Sequence, residues 1–332
     1  MVMNLIKQIL SRREFTERPP ILIDIGASGG LRPEWQDIAP YSICIAFDAD
    51  DRGMKYIVKE SSRYRKLYVY NRIVTDSPVA EADFFLTRSP YCSSLLKPLE
   101  DKLREWEFED LFKVQRIARL KSVSLPQLLE ELGVKHVDWF KTDSQGTDLR
   151  LFKSLGHSIM NTVIVAEFEP GIIDAYEGED KLWQMMQYME GRPFWMSDLS
   201  IKGSARVRSD ILKERVHKCS FSKYAMRAAP GWGEMTFIHT FEKGVNEFGL
   251  RECLLGWVFA VVENQLGFAL ELAVEGGHRF KEPIFERMES YVTKRLKGTT
   301  KGLILHLLRR VAGRVGRILD PGRRRSSVFG SV

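Results

Sequence analysis

Two short apolar runs near the start of the chain each end beside an acid. Ile21–Ile25 contains Asp24 and leads into a glycine-rich turn, and Ile43–Phe47 is followed directly by Asp48. Three positions of the turn carry no Cβ, so backbone N–H groups there can approach a ligand closely: Gly26, Gly29 and Gly30. An acid about twenty residues beyond such a turn is where a nucleotide-binding fold grips a ribose hydroxyl. The spacing predicts a nucleotide site.

Asp24 indicates which nucleotide the turn would hold. A carboxylate beside the turn disfavours a pyrophosphate, which needs N–H groups, but suits a ligand with a cationic amino group. The turn also lacks the G-x-G-x-x-G spacing of dinucleotide sites. We therefore expect S-adenosylmethionine, with a nicotinamide-dependent oxidoreductase as the weaker alternative. A turn whose glycines serve only packing stays open. The predicted cofactor contacts here are Asp24, Gly26, Ala27, Ser28, Gly30 and Asp48.

A second group of charged residues follows the predicted strand Val137–Thr142. Because alternate residues of a strand share a side, Lys141 and Asp143 should point together at the carboxyl end of the sheet, where ligands bind in open α/β folds. Asp148 lies one helical turn further on. The alternative is an ion pair between Lys141 and one of the two acids that only fixes the turn. Two more acids end the next predicted strand and could meet a substrate or solvent: Glu167 and Glu169.

Strands and helices alternate along most of the chain, which predicts an α/β fold: a doubly wound, mostly parallel, Rossmann-like sheet. The predicted strands are Ile21–Ile25, Ile43–Phe47, Lys66–Val74, Val137–Thr142, Thr162–Phe168, Phe194–Met196, Phe221–Met226 and Met235–Thr240. We expect this domain to span residues 20–245. A lead helix would occupy residues 1–19, and residues 246–332 would form a helical extension. In that extension we expect one helix over Leu254–Val274, too polar at its centre to span a bilayer comfortably.

Positive charge is concentrated at the end of the chain. Residues 294–332 carry eleven Lys and Arg against the single acid Asp320, although the net charge of all 332 residues is only +6. Leu303–Leu319 has an apolar and an arginine-rich face, as a helix on an anionic membrane surface would. Packing of its apolar face on the body is the alternative, and nucleic acid is less well supported. The expected location is cytoplasmic, peripheral to a membrane if the tail binds one.

The cysteines and histidines predict no metal site. The four cysteines are far apart and include no C-x-x-C pair, so we expect isolated reduced thiols. The six histidines show no ligand spacing.

Four ordered segments resemble the FkbM-type S-adenosylmethionine-dependent methyltransferases. DIGASGG, from Asp24, is similar to their D-V-G-A-N-x-G turn, and FDAD places Asp48 where their F-E-P segment has glutamate. ADFFLTRSPYCSSLL resembles a strand followed by their serine-rich S-S-L loop. Ser124–Gly156 is similar to the block ending in D-x-x-K-x-D-x-x-G-x-E, whose positions are here Asp138, Lys141, Asp143, Gly146 and Asp148.

The resemblance implies a class I methyltransferase sheet that binds S-adenosylmethionine and methylates a hydroxyl of a sugar, glycolipid or secondary metabolite. It adds Ser93 and Ser94 as cofactor contacts. Methyl transfer requires donor and acceptor at close range and removal of the acceptor's proton. Asp143, Lys141 and Asp148 are therefore the predicted catalytic residues.

The sequence also departs from the family pattern at four positions. Aspartates replace glutamates at Asp48 and Asp148, Ser28 stands where asparagine is common, and Gln145 where an acid is common. These changes motivate the alternative of a catalytically weak or silent binding protein of the same fold at a membrane surface or in a complex. The sequence also allows a homo-oligomer.

Overall fold

A computed structural model describes residues 2–27, 31–52, 61–216, 226–242 and 248–298. The strands of these ranges are β1 (Ile21–Ile25), β2 (Ile43–Phe47), β3 (Lys66–Tyr70), β4 (Ile73–Thr75), β5 (Glu81–Thr87), β6 (Val114–Ser124), β7 (Trp139–Thr142), β8 (Val165–Phe168), β9 (Phe194–Ala205) and β10 (Ala228–His239). Seven form a central sheet in the order β3-β2-β1-β7-β8-β10-β9. The first five run parallel, and β10 and β9 form an antiparallel hairpin beside β8.

Helices cover both faces of this sheet. They are α1 (Val2–Leu10), α2 (Arg13–Glu17), α3 (Glu100–Leu103), α4 (Leu125–Glu131), α5 (Asp148–Ser154), α6 (Gly156–Met160), α7 (Leu182–Glu190), α8 (Ser209–Val216), α9 (Leu250–Val262), α10 (Leu266–Phe280) and α11 (283–298). A smaller sheet of three strands, β4-β6-β5, lies apart from the central one. The α/β class and the mostly parallel sheet predicted from the sequence are confirmed.

The apolar strands are explained by burial on both faces of the sheet. On one face, Leu22 and Trp139 pack with the N-terminal helices and with α9 and α10. On the other face, Ile23 and Phe140 pack with α4 to α7. Neighbouring residues of each strand thus enter opposite cores, and a run such as ILIDI needs apolar side chains at nearly every position.

A buried ion pair joins helix α9 to the residue that precedes β7, beside the start of β1. Arg251 on α9 contacts both carboxylate oxygens of Asp138, at 2.8 and 2.9 Å, and Asp138 also accepts the Ile21 N–H at 2.9 Å. Both side chains are almost fully buried. Asp138, part of the sequence block that resembles a methyltransferase motif, thus lies at the end of β7 opposite to Asp143 and has a structural role.

Four predicted elements differ from the structure. The lead helix expected over residues 1–19 is two helices, α1 and α2. The segment expected as one strand over Lys66–Val74 is two strands, because the ladder with β2 ends at Tyr70 and Ile73 pairs with β6 instead. The helix expected over Leu254–Val274 is also two, since Asn264 adopts a left-handed φ of 56° and the chain turns there. The final hairpin is much longer than predicted, with twelve residues in each strand.

Several predicted features lie outside the described residues. These are Ser28 and Gly30 of the turn, residues 221–225 of a predicted strand, and the tail helix Leu303–Leu319. Within the described ranges, no helix is both long enough and apolar enough to cross a membrane.

Candidate functional site

The turn after β1 is held tightly between two neighbouring strand ends. The N–H groups of Gly26 and Ala27 both donate to the Phe47 carbonyl, at 3.0 and 2.9 Å. Gly26 has a φ of 76°, and a Cβ there would lie 2.2 Å from the Asp143 carbonyl oxygen. Glycine is required at this position by conformation and by space. The two N–H groups expected to face a ligand are already bonded within the protein.

Asp24 pairs with Lys141 across adjacent strands. The two residues are register partners in the β1–β7 ladder, and Lys141 Nζ lies 2.8 Å from Asp24 Oδ1. Desolvation lowers the pKa of Lys141, but the carboxylates of Asp24 and Asp143 outweigh it, and the pKa is raised. Lys141 is therefore a stable cation. The sequence predicts that the Asp24 carboxylate meets a cationic ligand. In the structure this carboxylate is paired with Lys141.

A cavity of about 630 Å³ opens beyond the end of β2, and we name it the β2 cavity. Asp48 lines it together with Phe47, Val74 and Phe84, as does Asp143 on the far side. Burial raises the pKa of Asp48 to about 6, against the hydrogen bond that its carboxylate accepts from the Asp50 N–H at 2.8 Å. The cavity thus has apolar walls and an acid at its rim.

Ser93 and Ser94 fix the loop that forms the wall of the β2 cavity. Ser93 Oγ donates to Asp50 at 3.1 Å and accepts the Thr87 N–H at 3.1 Å. Ser94 Oγ donates to the Gln145 carbonyl at 2.7 Å. Ser93 still lines the cavity, but both hydroxyls are engaged by the protein. Ser93 holds this loop against Asp50, which follows β2, and Ser94 holds it against the turn that follows β7.

Asp148 organises that turn and does not reach a cavity. Its carboxylate is completely buried and accepts hydrogen bonds from Thr142 Oγ1, the Ser144 N–H and Ser144 Oγ, and from the Glu169 N–H at 2.7 Å. Burial raises its pKa to about 6. Of the three predicted catalytic residues, Asp148 positions the backbone of the other acids, and Lys141 pairs with Asp24. Asp143 alone lines the cavities.

A second cavity, of about 1080 Å³, lies on the other side of Asp143, and we name it the aromatic cavity. Five aromatic side chains line it: Tyr91, Phe108, Phe112, Tyr176 and Trp232. Asp143, Gln145 and Tyr91 line both cavities. The two spaces therefore meet at the turn after β7, at the carboxyl end of the parallel strands, where ligands bind in open α/β sheets.

Gln145 fixes the carboxylate of Asp143 at this meeting point. Its backbone is left-handed, with a φ of 55°, and its Nε2 donates to Asp143 Oδ1 at 2.5 Å. The Tyr176 hydroxyl lies 2.9 Å from Gln145 Oε1 and donates to it. A glutamine supplies this N–H, whereas an acid at the same position would repel Asp143.

Glu169 approaches Asp143 at the floor of the aromatic cavity. Two buried carboxyl groups this close cannot both ionise readily, so one of them keeps a proton. Desolvation and then the charge of Asp143 raise the pKa of Glu169 strongly, and desolvation raises that of Asp143 as well. Glu169 keeps the proton, since Lys141 and Gln145 stabilise the charge on Asp143. Glu167, the other acid of this strand, turns away and bonds to Arg32 and Trp139.

The sequence identifies Asp143 as a catalytic candidate. For Glu169 it leaves two alternatives open, a contact with substrate or a solvated strand end. It missed Gln145, Tyr176 and the aromatic walls. A φ above zero at Gln145 has no sequence signal, and Phe108 and Trp232 are far apart in the chain. Within the described ranges, no three His, Cys, Asp or Glu side chains are grouped as metal ligands.

No protein-family model, curated protein or solved structure matches the chain in the comparisons made with each.

Proposed function

We propose that the protein is a methyltransferase that binds S-adenosylmethionine in the β2 cavity and an acceptor in the aromatic cavity. The observation that carries the proposal is that the two cavities meet at one acid, Asp143, at the carboxyl end of the parallel strands. A group-transfer enzyme needs its two substrates on opposite sides of a common point. Each of the four sequence segments that resemble the FkbM-type family contributes residues to the lining of the β2 cavity.

The order of the central sheet also supports the proposal. Counted along the chain among the strands of that sheet alone, the order is 3-2-1-4-5-7-6, with strand 7 of the 6–7 hairpin antiparallel to the other six. It resembles the sheet of class I methyltransferases, in which such a hairpin follows five parallel strands.

The residues of the β2 cavity fit the donor. The Asp48 carboxylate lies where it can accept hydrogen bonds from ribose hydroxyls. Phe47, Val74 and Phe84 offer apolar surface to a base. S-adenosylmethionine supplies a methyl group already activated by its sulfonium. The acids on this side, Asp48 and Asp143, suit a cationic ligand better than a pyrophosphate. Asp24 would act indirectly, by holding Lys141.

Asp143 and Glu169 would handle the acceptor's proton. With Glu169 neutral, Asp143 carries the negative charge and can accept a proton from an acceptor hydroxyl as the oxygen gains its methyl group. Gln145 and Tyr176 keep that carboxylate in place through a chain of two hydrogen bonds. The aromatic walls exclude water and can stack against a ring. A sugar, glycolipid or secondary-metabolite hydroxyl is the proposed acceptor.

Calorimetry tests donor binding. S-adenosylhomocysteine should bind to the full chain, and Asp48→Asn should weaken binding by about tenfold or more. The matched control Asp76→Asn, at an exposed position, should bind as the unmodified protein does. Binding of NAD in place of S-adenosylhomocysteine would refute the proposal.

Transfer of a labelled methyl group to a panel of sugars and glycolipids tests turnover. Asp143→Asn should abolish transfer and leave S-adenosylhomocysteine binding within about tenfold, because the lost carboxylate acts on the acceptor. An Asp143→Asn protein with full turnover would show that this acid is not the base. Donor binding without transfer to any acceptor would favour the silent binding protein.

A further inference from the structure

β9 is the outermost strand of the central sheet. It pairs with β10 along twelve residues, and no strand of the described ranges lies beyond it. Its ends are tied to the body, since the Ser197 carbonyl accepts from Gln265 Nε2 at 2.8 Å and the Ala205 carbonyl from the Glu107 N–H at 3.1 Å. Four of the five residues from Asp198 to Lys202 are exposed. A long open edge of this kind is a template for pairing with another strand.

The edge carries exposed apolar side chains that continue onto a helix. Leu199 is 39% and Ile201 45% exposed, and both lie on the face of the sheet covered by Leu182 of α7, because all three surround Gly233. On α7, Trp183 is 62% and Met186 42% exposed. Contiguous apolar surface beside an open strand edge marks an interaction site.

We propose that β9 pairs antiparallel with β9 of a second copy of this chain, about a two-fold axis at Ser200. In that register Asp198 of each copy lies opposite Lys202 of the other, and Leu199 lies opposite Ile201. Both charged positions are exposed, and opposite charges at facing positions stabilise a strand pair. Because of the two-fold axis, each of these contacts occurs twice in the dimer.

The charged residues of β9 favour this register and favour a second copy of the same chain as the partner. Asp198 and Lys202 are the only charged residues of β9, and they are equidistant from Ser200, so the strand is complementary to itself. Lys202 also lies 3.2 Å from Glu234 of β10, and Asp198 of the second copy would join this exposed pair. In the same register the apolar pair faces the α7 side, where Trp183 and Met186 of both copies border the joint. The dimer would continue the seven-stranded sheet into a second, symmetry-related one.

Cross-linking tests the register directly. The described thiols Cys44, Cys92 and Cys253 are buried, so the parent protein needs only Cys219→Ser to remove the remaining cysteine. Ser200→Cys in that parent would place two Cα atoms about 5 Å apart across the axis. A short bismaleimide should convert it to a covalent dimer. Ser77→Cys, at an exposed position of another loop, should stay monomeric under the same conditions.

The oligomeric state tests the surface. Light scattering should show the full chain as a dimer at micromolar concentration, and Ile201→Lys should weaken dimerisation at least about tenfold. Ile117→Lys changes an isoleucine on β6 that is 56% exposed and should leave the dimer intact. Circular dichroism confirms that the variants are folded. A monomeric parent protein, or a dimer that Ile201→Lys does not weaken and Ser200→Cys does not cross-link, would overturn the proposal.

Discussion

Replacement of Glu169 by glutamine should change how protein stability depends on pH. The fold raises the pKa of Glu169 far above its ordinary value of 4.5, through burial and through the charge of Asp143. Between the unfolded and folded values the native state binds the extra proton, so the free energy of unfolding falls as pH rises. The full slope is about 1.4 kcal/mol per pH unit. Sharing of the proton with Asp143 reduces it, and we expect a loss of about 2 kcal/mol between pH 5.5 and 8.

Glu169→Gln removes this loss because an amide stays neutral and can still donate to Asp143. Urea unfolding at pH 5.5, 6.5, 7.5 and 8.5 measures the free energy of both proteins, and the difference between them cancels the other titrating groups. The variant should be the more stable protein at pH 8.5, and the gap should close towards pH 5.5. The sign follows from the raised pKa: the stability that Glu169 contributes is complete below 4.5 and is lost at higher pH.

An exposed glutamate is the matched control. Glu81→Gln on β5 makes the same chemical change at a position that is half exposed, so its unfolding curve should follow that of the unmodified protein at every pH. If the curves of Glu169→Gln and the unmodified protein are parallel, Glu169 is ionised in the folded state. The inference that it shares a proton with Asp143 is then wrong.

Three further substitutions test other parts of the structure. Gly26→Ala should cost at least about 2 kcal/mol more in urea unfolding than Gly133→Ala, because both sites have a positive φ but only Gly26 would drive a Cβ to 2.2 Å from a carbonyl oxygen; equal costs would remove the steric argument. Asp138→Asn should destabilise the fold by about 3 kcal/mol, since it leaves the buried Arg251 with Glu252, at 3.3 Å, as its remaining carboxylate, whereas Asp83→Asn, in the exposed pair with Arg119, should cost less than about 1 kcal/mol. Binding of S-adenosylhomocysteine should weaken below pH 6, where Asp48 takes up a proton, and Asp48→Asn should abolish that pH dependence in calorimetry; a pH dependence that persists in the variant would assign it to another group.

The sequence predicts the site best where a local pattern identifies a strand and the candidate residue lies at the end of that strand. The apolar runs that became β1, β2, β7 and β8 need burial on both faces, and parallel strands of a doubly wound sheet bring their carboxyl ends together. Asp48 and Asp143 therefore line the same cavity, as expected. The choice of partner for Lys141 depends on which strands are adjacent. Because β7 pairs with β1, Lys141 forms its ion pair with Asp24, 117 positions away in the chain, and not with Asp143 two residues on.

The aromatic cavity depends on contacts that no local pattern encodes. Phe108 and Phe112 come from the irregular segment before β6, Tyr176 from the loop after β8, and Trp232 from β10. Phe108 meets Trp232 with ring centroids 6.3 Å apart, and Phe112 meets Tyr176 at 5.7 Å. Each aromatic residue reads from the sequence as ordinary core. Only the fold shows that these four leave a space between them.

A bulge in β10 connects the hairpin to this space. Pro230 pairs with Gly203 and Trp232 with Lys202, so Gly231 is one residue more than the partner strand supplies. An extra residue reverses which side chains face each side of the sheet from that point on. The Gly231 carbonyl then accepts the N–H groups of Ile172 and Ile173, which bring the loop after β8 against the bulge. The antiparallel hairpin thus serves two surfaces: the bulge of β10 places Trp232 in the wall of the aromatic cavity, while β9 shields β10 and presents its own edge.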